Sequence, residues 1–252
     1  MEKLKLVKRM TPLKTALEKL QKTMESVPLE KFRPAEEIFT CVTCSDTGWV
    51  VIADRGAKQC ECLRTKQRVR LLDRIPPEYR GLDLETIRPD ATRHPDQESL
   101  VNALRADPDM SLLLSGRVGC GKSLIGWLLY KRAIEADRPS VALPLAELLG
   151  QFRRYECGSD TLPAVTSENL RDSRRWFLFL DEFDKTRPTE FAGEQLFLLM
   201  DAIYTYRHQL VVTSNVGKDE LRFKWSQASE QYGVSIMRRL LELNSVRYKE
   251  MF

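Results

Sequence analysis

The sequence predicts an α/β protein in which a parallel sheet, flanked by helices, follows a small N-terminal α+β module rich in cysteine. Two observations predict the sheet. From about Glu98 onward, apolar runs of strand length alternate with stretches of helical periodicity. The runs "MSLLLSG", "WFLFLDE" and "QLVVTSN" are apolar almost throughout, as strands buried on both faces are. The module is predicted by four cysteines that fall in two close pairs around a hairpin pattern.

Composition bounds the rest. The chain has 252 residues, 42% hydrophobic and 30% charged, which suits a soluble protein of one large and one small domain. No apolar run reaches the length of a membrane span. The start, "MEKLKLVKRM", is basic but has no long apolar core or small-residue cleavage site, so it is not a secretory signal. The expected location is the cytoplasm, where the six cysteines are thiols or metal ligands and not disulfides. A net charge of +4 permits nucleic-acid binding without demanding it, so local clusters matter more than the total.

Along the chain, residues 1 to about 38 read as helical. Leu4, Leu6, Val7, Leu13, Leu17 and Leu20 form a loose stripe, divided by Pro12, Pro28 and Pro34. "TGWVVIADRGAKQCEC" reads as a hairpin, with Trp49 to Ile52 as a strand and "DRG" as its turn. "LRTKQRVRLLDRI", Leu63 to Ile75, is a basic amphipathic helix that ends before Pro76-Pro77. A Pro- and Asp-rich connector with little to pack follows. The expected domains are therefore 1–75, a linker at 76–97, and 98–252.

The second region opens with the helix "ESLVNALRA" and the strand "MSLLLSG". Next come a helix from Lys122 to Ala136, the strand "SVALPL" and the helix "AELLGQFRRY". The strand "WFLFLDE", a helix from Gly193 to Tyr206 and the strand "QLVVTSN" complete the series.

The loop between the first strand and its helix, "SGRVGCGKS", carries the pattern G-x-x-x-x-G-K-[ST]. Gly116, Gly119 and Gly121 let the backbone turn tightly, so that its N–H groups, Cys120 included, aim at phosphate oxygens. The next helix adds its positive N-terminal end. Lys122 reaches the β- and γ-phosphates and Ser123 holds Mg²⁺. "WFLFLDEFD" ends in acids: Asp181 for the Mg²⁺ shell, and Glu182 to orient and deprotonate an attacking water. It lies roughly 60 residues after the loop, a spacing of βαβ units that sets both strands in one sheet. Asn215 ends a further apolar strand, where a polar side chain can touch both the γ-phosphate and the water. ATP and Mg²⁺ are the expected ligands.

These three strand tips resemble an AAA+ ATPase: Walker A, a Walker B of the "DE" type, and sensor 1. Residues 216–252 are too few for the helical lid that most AAA+ proteins carry. Their end, "VSIMRRLLELNSVRYKE", resembles that of the DnaC/DnaI-type helicase loaders and the related IstB-type transposition ATPases. So do "IPPEYRGLDLE" before the core and "DEFDKTRPTEFAGEQLFLLMDAIYTYRHQLVVTSN" within it; the likeness covers most of residues 40–252. Pro144 departs from it, standing where a Thr or Ser often starts the next helix. The resemblance implies an arginine finger acting on a neighbouring subunit, and hence self-assembly through the ATP site. Arg239, followed by Leu240, matches that position, with Arg238 beside it as the competing choice; Ser245 and Arg247 match a final Ser-x-Arg.

Cys41-x2-Cys44 and Cys60-x-Cys62 can converge on one Zn²⁺, the hairpin bringing the pairs together. A module of about 40 residues needs such a staple. "CVTCSDTGWV" and "CECLR" also resemble the zinc module of DnaI-like loaders. Cys157 and the reactivity of Cys120 are expected to be incidental.

Phe152, Arg153, Arg154 and Tyr155 gather at one helix end. Arginines neutralise phosphates and an aromatic stacks a base, the combination that single strands require. Lys185 and Arg187 are weaker candidates. The resemblance points to the same part of the core, and it assigns the N-terminal region to a hexameric replicative helicase. The basic helix Leu63–Ile75 could instead contact DNA. The expected function is ATP-dependent loading of that helicase onto single-stranded DNA in bacterial or phage replication initiation, by an Mg²⁺-dependent ATPase stimulated by oligomerisation and DNA. Two alternatives are an IstB-type transposition ATPase and a nucleotide-gated adaptor with negligible turnover.

Overall fold

The computed structural model describes residues 40–52, 56–89, 95–172, 174–228, 232–241 and 246–251. The leucine stripe of residues 1–38, the "DRG" turn except for Gly56, and Ser245 lie outside the described residues. The chain forms two compact units, residues 1–63 and 64–252.

In the small unit β1 (Trp49–Ile52) pairs antiparallel with β2 (Gly56–Gln59), Trp49 opposite Gln59 and Ile52 opposite Gly56. The Cys60 N–H donates to the Gly48 carbonyl at 2.7 Å, which extends the hairpin to the second cysteine pair. Helix α1 (Glu61–Leu72) starts there.

The large unit is built on a five-stranded parallel sheet, ordered β4-β5-β6-β3-β7. Its strands are β3 (Ser111–Gly116), β4 (Ser140–Pro144), β5 (Phe177–Asp181), β6 (Gln209–Ser214) and β7 (Val246–Met251). Its helices are α2 (Pro77–Arg80), α3 (Pro95–Ala106), α4 (Lys122–Glu135), α5 (Leu145–Glu156), α6 (Glu190–Thr205), α7 (Lys218–Ala228) and α8 (Gly233–Leu241). Successive strand residues point to opposite faces, and two cores divide accordingly. Leu113, Val141, Leu143, Leu178, Leu180, Leu210 and Val212 pack with α5, α6, α7 and α8. Leu112, Leu114, Ala142, Phe177, Phe179 and Val211 pack with α3 and α4. Both faces are apolar, so β3, β4, β5 and β6 read as continuous runs. Gly126 lets α4 lie close on the sheet: a Cβ there would stand 2.3 Å from the Phe179 ring.

The expected linker is not one. Ile75 and Leu84 are buried in the same core as Leu104 and Leu128. Lys131 Nζ donates to the Leu82 carbonyl and Arg105 Nε to the Leu84 carbonyl, both at 2.9 Å. The division therefore falls after Leu63 instead of near residue 75. The apolar residues of this segment are too sparse among Pro, Asp and Arg to give a periodic signal.

Helix α5 follows β4 directly, with Pro144 in extended conformation at its N-cap and no side-chain cap. Strand β7 has no apolar run and was not anticipated. It pairs with β3 along its whole length, from Ser111 opposite Val246 to Gly116 opposite Met251. Among the described residues no helix is long and apolar enough to cross a membrane.

Candidate nucleotide site and cysteine cluster

The C-terminal ends of β3, β5 and β6 meet at one edge of the sheet, where the chain leaves three neighbouring parallel strands on the same side. They open on a cavity of about 320 Å³, lined by Val118, Gly119, Gly121, Lys122, Ser123, Asp181, Glu182, Lys185, Thr213 and Asn215, with Tyr79 from α2. The strand tips thus bring together the residues that the sequence placed in three separate motifs.

Gly116, Gly119 and Gly121 all have positive φ, at 146°, 85° and 89°. At Gly116 the need is also spatial, since a Cβ would lie 1.8 Å from the Met251 carbonyl oxygen on β7. Gly121 caps α4, whose first residue is Lys122. Lys122 is 6% exposed, and its ammonium donates to the Gly116 and Arg117 carbonyls at 2.8 Å each. The charge is held within the loop. Cys120 is buried, its sulfur 3.7 Å from Lys122 Nζ, and its carbonyl accepts from the Gln97 side chain.

Asp181 Oδ1 gathers three donors. The Ser123 hydroxyl reaches it at 3.1 Å, the Glu182 N–H at 3.2 Å, and the Thr213 hydroxyl also donates to it. Thr213 Oγ1 in turn accepts from the Glu182 N–H at 3.0 Å. Glu182 itself has φ +55°, a left-handed conformation costly for a residue with a side chain. Those two backbone contacts hold it there. Ser123 and Asp181 fit Mg²⁺ as adjacent hard oxygen donors beside a phosphate loop.

Asn215 is held by Asp184: its backbone N–H and its side-chain amide donate to the two carboxylate oxygens, at 2.9 and 3.3 Å. Thr213, Asp184 and Tyr79 were not singled out from the sequence. The first two lay inside the motifs themselves, in "LVVTSN" and "DEFD".

Other expected residues are distributed differently. Phe152 is 7% exposed and belongs to the core, so it cannot stack a base. Its position continues the stripe of Leu145, Leu148 and Leu149, which fixes the buried face of α5. Arg153, Arg154 and Tyr155 remain exposed, and the Arg153 guanidinium lies 5.3 Å from the centre of the Phe191 ring. Arg239 is engaged within its own chain: it pairs with Asp201 on α6 and lies 4.6 Å over the Phe197 ring. Arg238 beside it is exposed. The backbone of Arg247 lies in β7, opposite Leu112.

In the small unit the sulfurs of Cys41, Cys44, Cys60 and Cys62 all lie within 4.8 Å of one another. Cys41 Sγ is 3.8 Å from Cys60 Sγ, and Cys44 Sγ is 3.4 Å from Cys62 Sγ. A tetrahedron with Zn–S bonds of about 2.3 Å has S···S edges of about 3.8 Å. Four thiolates at that spacing fit Zn²⁺. The backbone N–H groups of Cys44 and Thr43 push the Cys41 thiol down to about 6, favouring its thiolate. The Cys62 thiol is pushed up to about 12, chiefly by its hydrogen bond with Cys44.

No protein-family model matches the chain, and no curated protein matches its sequence. Solved structures do match. The crystal structure of DnaI aligns with a TM-score of 0.51 at 17% identity, over 71% of this chain and 92% of that one. The DnaC helicase loader aligns at 0.49 and 14% identity, over 70% of this chain and 100% of that one. AMPPCP-bound DnaA from Aquifex aeolicus aligns at 0.49 and 14% identity, over 71% of this chain and 51% of that one.

Proposed function

We propose that this chain, an AAA+ P-loop core joined to a four-cysteine module, is an ATP-dependent loader that places a hexameric replicative helicase on single-stranded DNA in the cytoplasm. The observation that carries the reading is the convergence of Lys122, Ser123, Asp181, Glu182 and Asn215, from three strand tips, on one cavity. The loop amides and Lys122 bind the phosphates of ATP. Ser123 and Asp181 would hold Mg²⁺, which would offset the charge of the nucleotide phosphates. Glu182 orients the attacking water and accepts its proton, and Asn215 contacts the same water and the γ-phosphate.

Hydrolysis is completed by an arginine from a neighbouring subunit, Arg239 or Arg238, so the site works only in an assembly. Arg153, Arg154 and Tyr155 offer two cations and one ring to a single strand. The N-terminal unit, with Zn²⁺ on its four cysteines, docks the helicase. The likeness in fold to DnaI supports this reading over that of an unrelated P-loop enzyme. The cysteine quartet favours it over an IstB-type ATPase.

The test is capture of partners by the full-length protein from an extract of its native cell, treated with nuclease. A hexameric helicase should be recovered; recovery of a transposase instead would establish the IstB-type reading. ATP turnover, measured with and without single-stranded DNA, separates an enzyme from a nucleotide-gated adaptor. Glu182→Gln should bind ATP normally and lose about 10²- to 10⁴-fold in turnover.

A further inference from the structure

Lys185 stands three residues beyond Glu182, at the end of the single 3₁₀ turn Phe183–Lys185. In a 3₁₀ helix the side chains at i and i+3 eclipse. The Lys185 N–H donates to the Glu182 carbonyl at 3.0 Å and closes the turn, while its ammonium pairs with the Glu182 carboxylate. That hydrogen bond and the Glu182 charge push Lys185 above its usual range. The Glu182 backbone is already fixed by Thr213 and Asp181, so Lys185 acts on the freedom that remains, the direction of the carboxylate.

A carboxylate oxygen engaged by an ammonium is not presented to a water. The pair is nevertheless easily broken, because both side chains are substantially exposed, at 56% for Lys185 and 43% for Glu182, and exposed ion pairs are weak. Lys185 also lines the cavity together with Lys122 and Asn215. Phosphates compete well with one carboxylate for an ammonium: those of a nucleotide carry more charge, and a DNA strand offers a row of phosphodiesters. Arg187, exposed two residues further on, adds a second cation at this surface.

We propose that Lys185 is a phosphate-responsive clamp on Glu182: it holds the carboxylate away from the water until a phosphate takes the ammonium. This rests on the reading of Glu182 as the base of an ATPase. Lys185 is a positioning residue: while clamped it acts through the Glu182 carboxylate alone. The phosphate comes either from the bound nucleotide or from the backbone of single-stranded DNA, and the experiment distinguishes them.

The experiment acylates the full-length protein with an amine-reactive ester and follows Lys185 by mass spectrometry. Without ligand, Lys185 should react about two- to fivefold faster in Glu182→Ala than in wild type. In that variant, protection on adding Mg²⁺ and AMPPCP identifies the nucleotide as the source. Protection only on adding oligo-dT identifies DNA. Turnover then gives the second readout. If DNA is the source, Lys185→Ala raises kcat at unchanged KM and abolishes stimulation by oligo-dT. If the nucleotide is the source, Lys185→Ala raises KM. Lys185→Arg should behave as wild type in both cases. Equal labelling of wild type and Glu182→Ala, or protection by neither ligand, overturns the clamp. The expected labelling in a protein that binds but never hydrolyses ATP overturns instead the reading of Glu182 as a base, and the clamp's role with it.

Discussion

The Ser123 hydroxyl donates to Asp181 Oδ1 at 3.1 Å across 58 residues of sequence. That one bond joins the start of α4 to the tip of β5, and its two oxygens are those proposed to hold Mg²⁺. The Thr213 hydroxyl from β6 donates to the same oxygen and accepts the Glu182 N–H. One carboxylate thus ties two neighbouring strands to the start of α4.

Thr213→Val keeps the shape and removes both bonds. One donor to Asp181 is lost and the left-handed Glu182 backbone loses a partner, at a cost of about 1–3 kcal/mol. Turnover should fall on the order of tenfold with ATP affinity little changed, and Thr213→Ser should recover it. Steady-state kinetics beside a nucleotide-binding titration checks this; unchanged kcat in Thr213→Val would remove Thr213 from the site.

Gly116→Ala tests the join between the phosphate loop and β7. The new Cβ meets the Met251 carbonyl oxygen, and the φ of 146° is strained for alanine. A loss of at least about 2 kcal/mol is expected, seen as a lower Tm and faster amide exchange in residues 246–251. Gly81, with ordinary φ and open space around it, serves as the control: Gly81→Ala should change stability by no more than about 0.5 kcal/mol.

The cysteine cluster should carry one Zn²⁺ per chain, found by metal analysis of protein purified without added zinc. Cys60→Ser should abolish binding and unfold the small unit, while the thermal transition of the ATPase core stays in place. Substoichiometric zinc in fresh, reduced protein would refute the assignment.

Arg239→Ala should report on two roles at once. Loss of the Asp201 pair and of the Phe197 contact should lower stability by about 1 kcal/mol. Loss of a finger should abolish turnover while ATP still binds, and mixing with Lys122→Ala protein should restore part of it. Recovery in that mixture, with turnover retained by Arg238→Ala alone, identifies Arg239 as the finger. The reverse pattern gives that role to Arg238 and leaves Arg239 as the tie between α8 and α6.

His208 sets a pH dependence. Burial pushes its pKa below the usual 6.5, with further lowering by the Arg175 and Arg138 charges; the Leu170 carbonyl and Asp172 act in the opposite sense. Its Nδ1 accepts the Trp176 N–H at 3.1 Å, and Nε2 lies 2.6 Å from the Leu170 carbonyl. The fold therefore favours the neutral ring. With the folded value depressed, stability is intact above pH 6.5 and is lost as pH falls through the folded pKa. Melting curves between pH 7.5 and 5 should show this decline, and His208→Asn should flatten it.

The sequence by itself determined the sheet strands β3, β4, β5 and β6, because burial on both faces writes itself as an unbroken apolar run. It also determined the phosphate loop and the cysteine pairs, whose chemistry depends on spacings of a few residues. The period of Leu145, Leu148, Leu149 and Phe152 encodes the buried side of α5, although the arginines beside Phe152 led to the expectation that it stacks a base.

Only the tertiary structure decided the rest. Strand β7 carries charged residues among its apolar ones, and it becomes a strand by pairing with β3, a register that no local pattern encodes. Residues 75–89 join the core through a few isolated apolar side chains and through cations that reach their carbonyls. Thr213, Asp184 and Lys185 gain their roles by proximity to Asp181, Asn215 and Glu182, and Arg239 meets Asp201 and Phe197 across two packed helices. Periodicity and local spacing specify which side of an element is buried. Which distant hydroxyl, carboxylate or cation then comes within 3 Å depends on strand order and helix packing, and those belong to the chain as a whole.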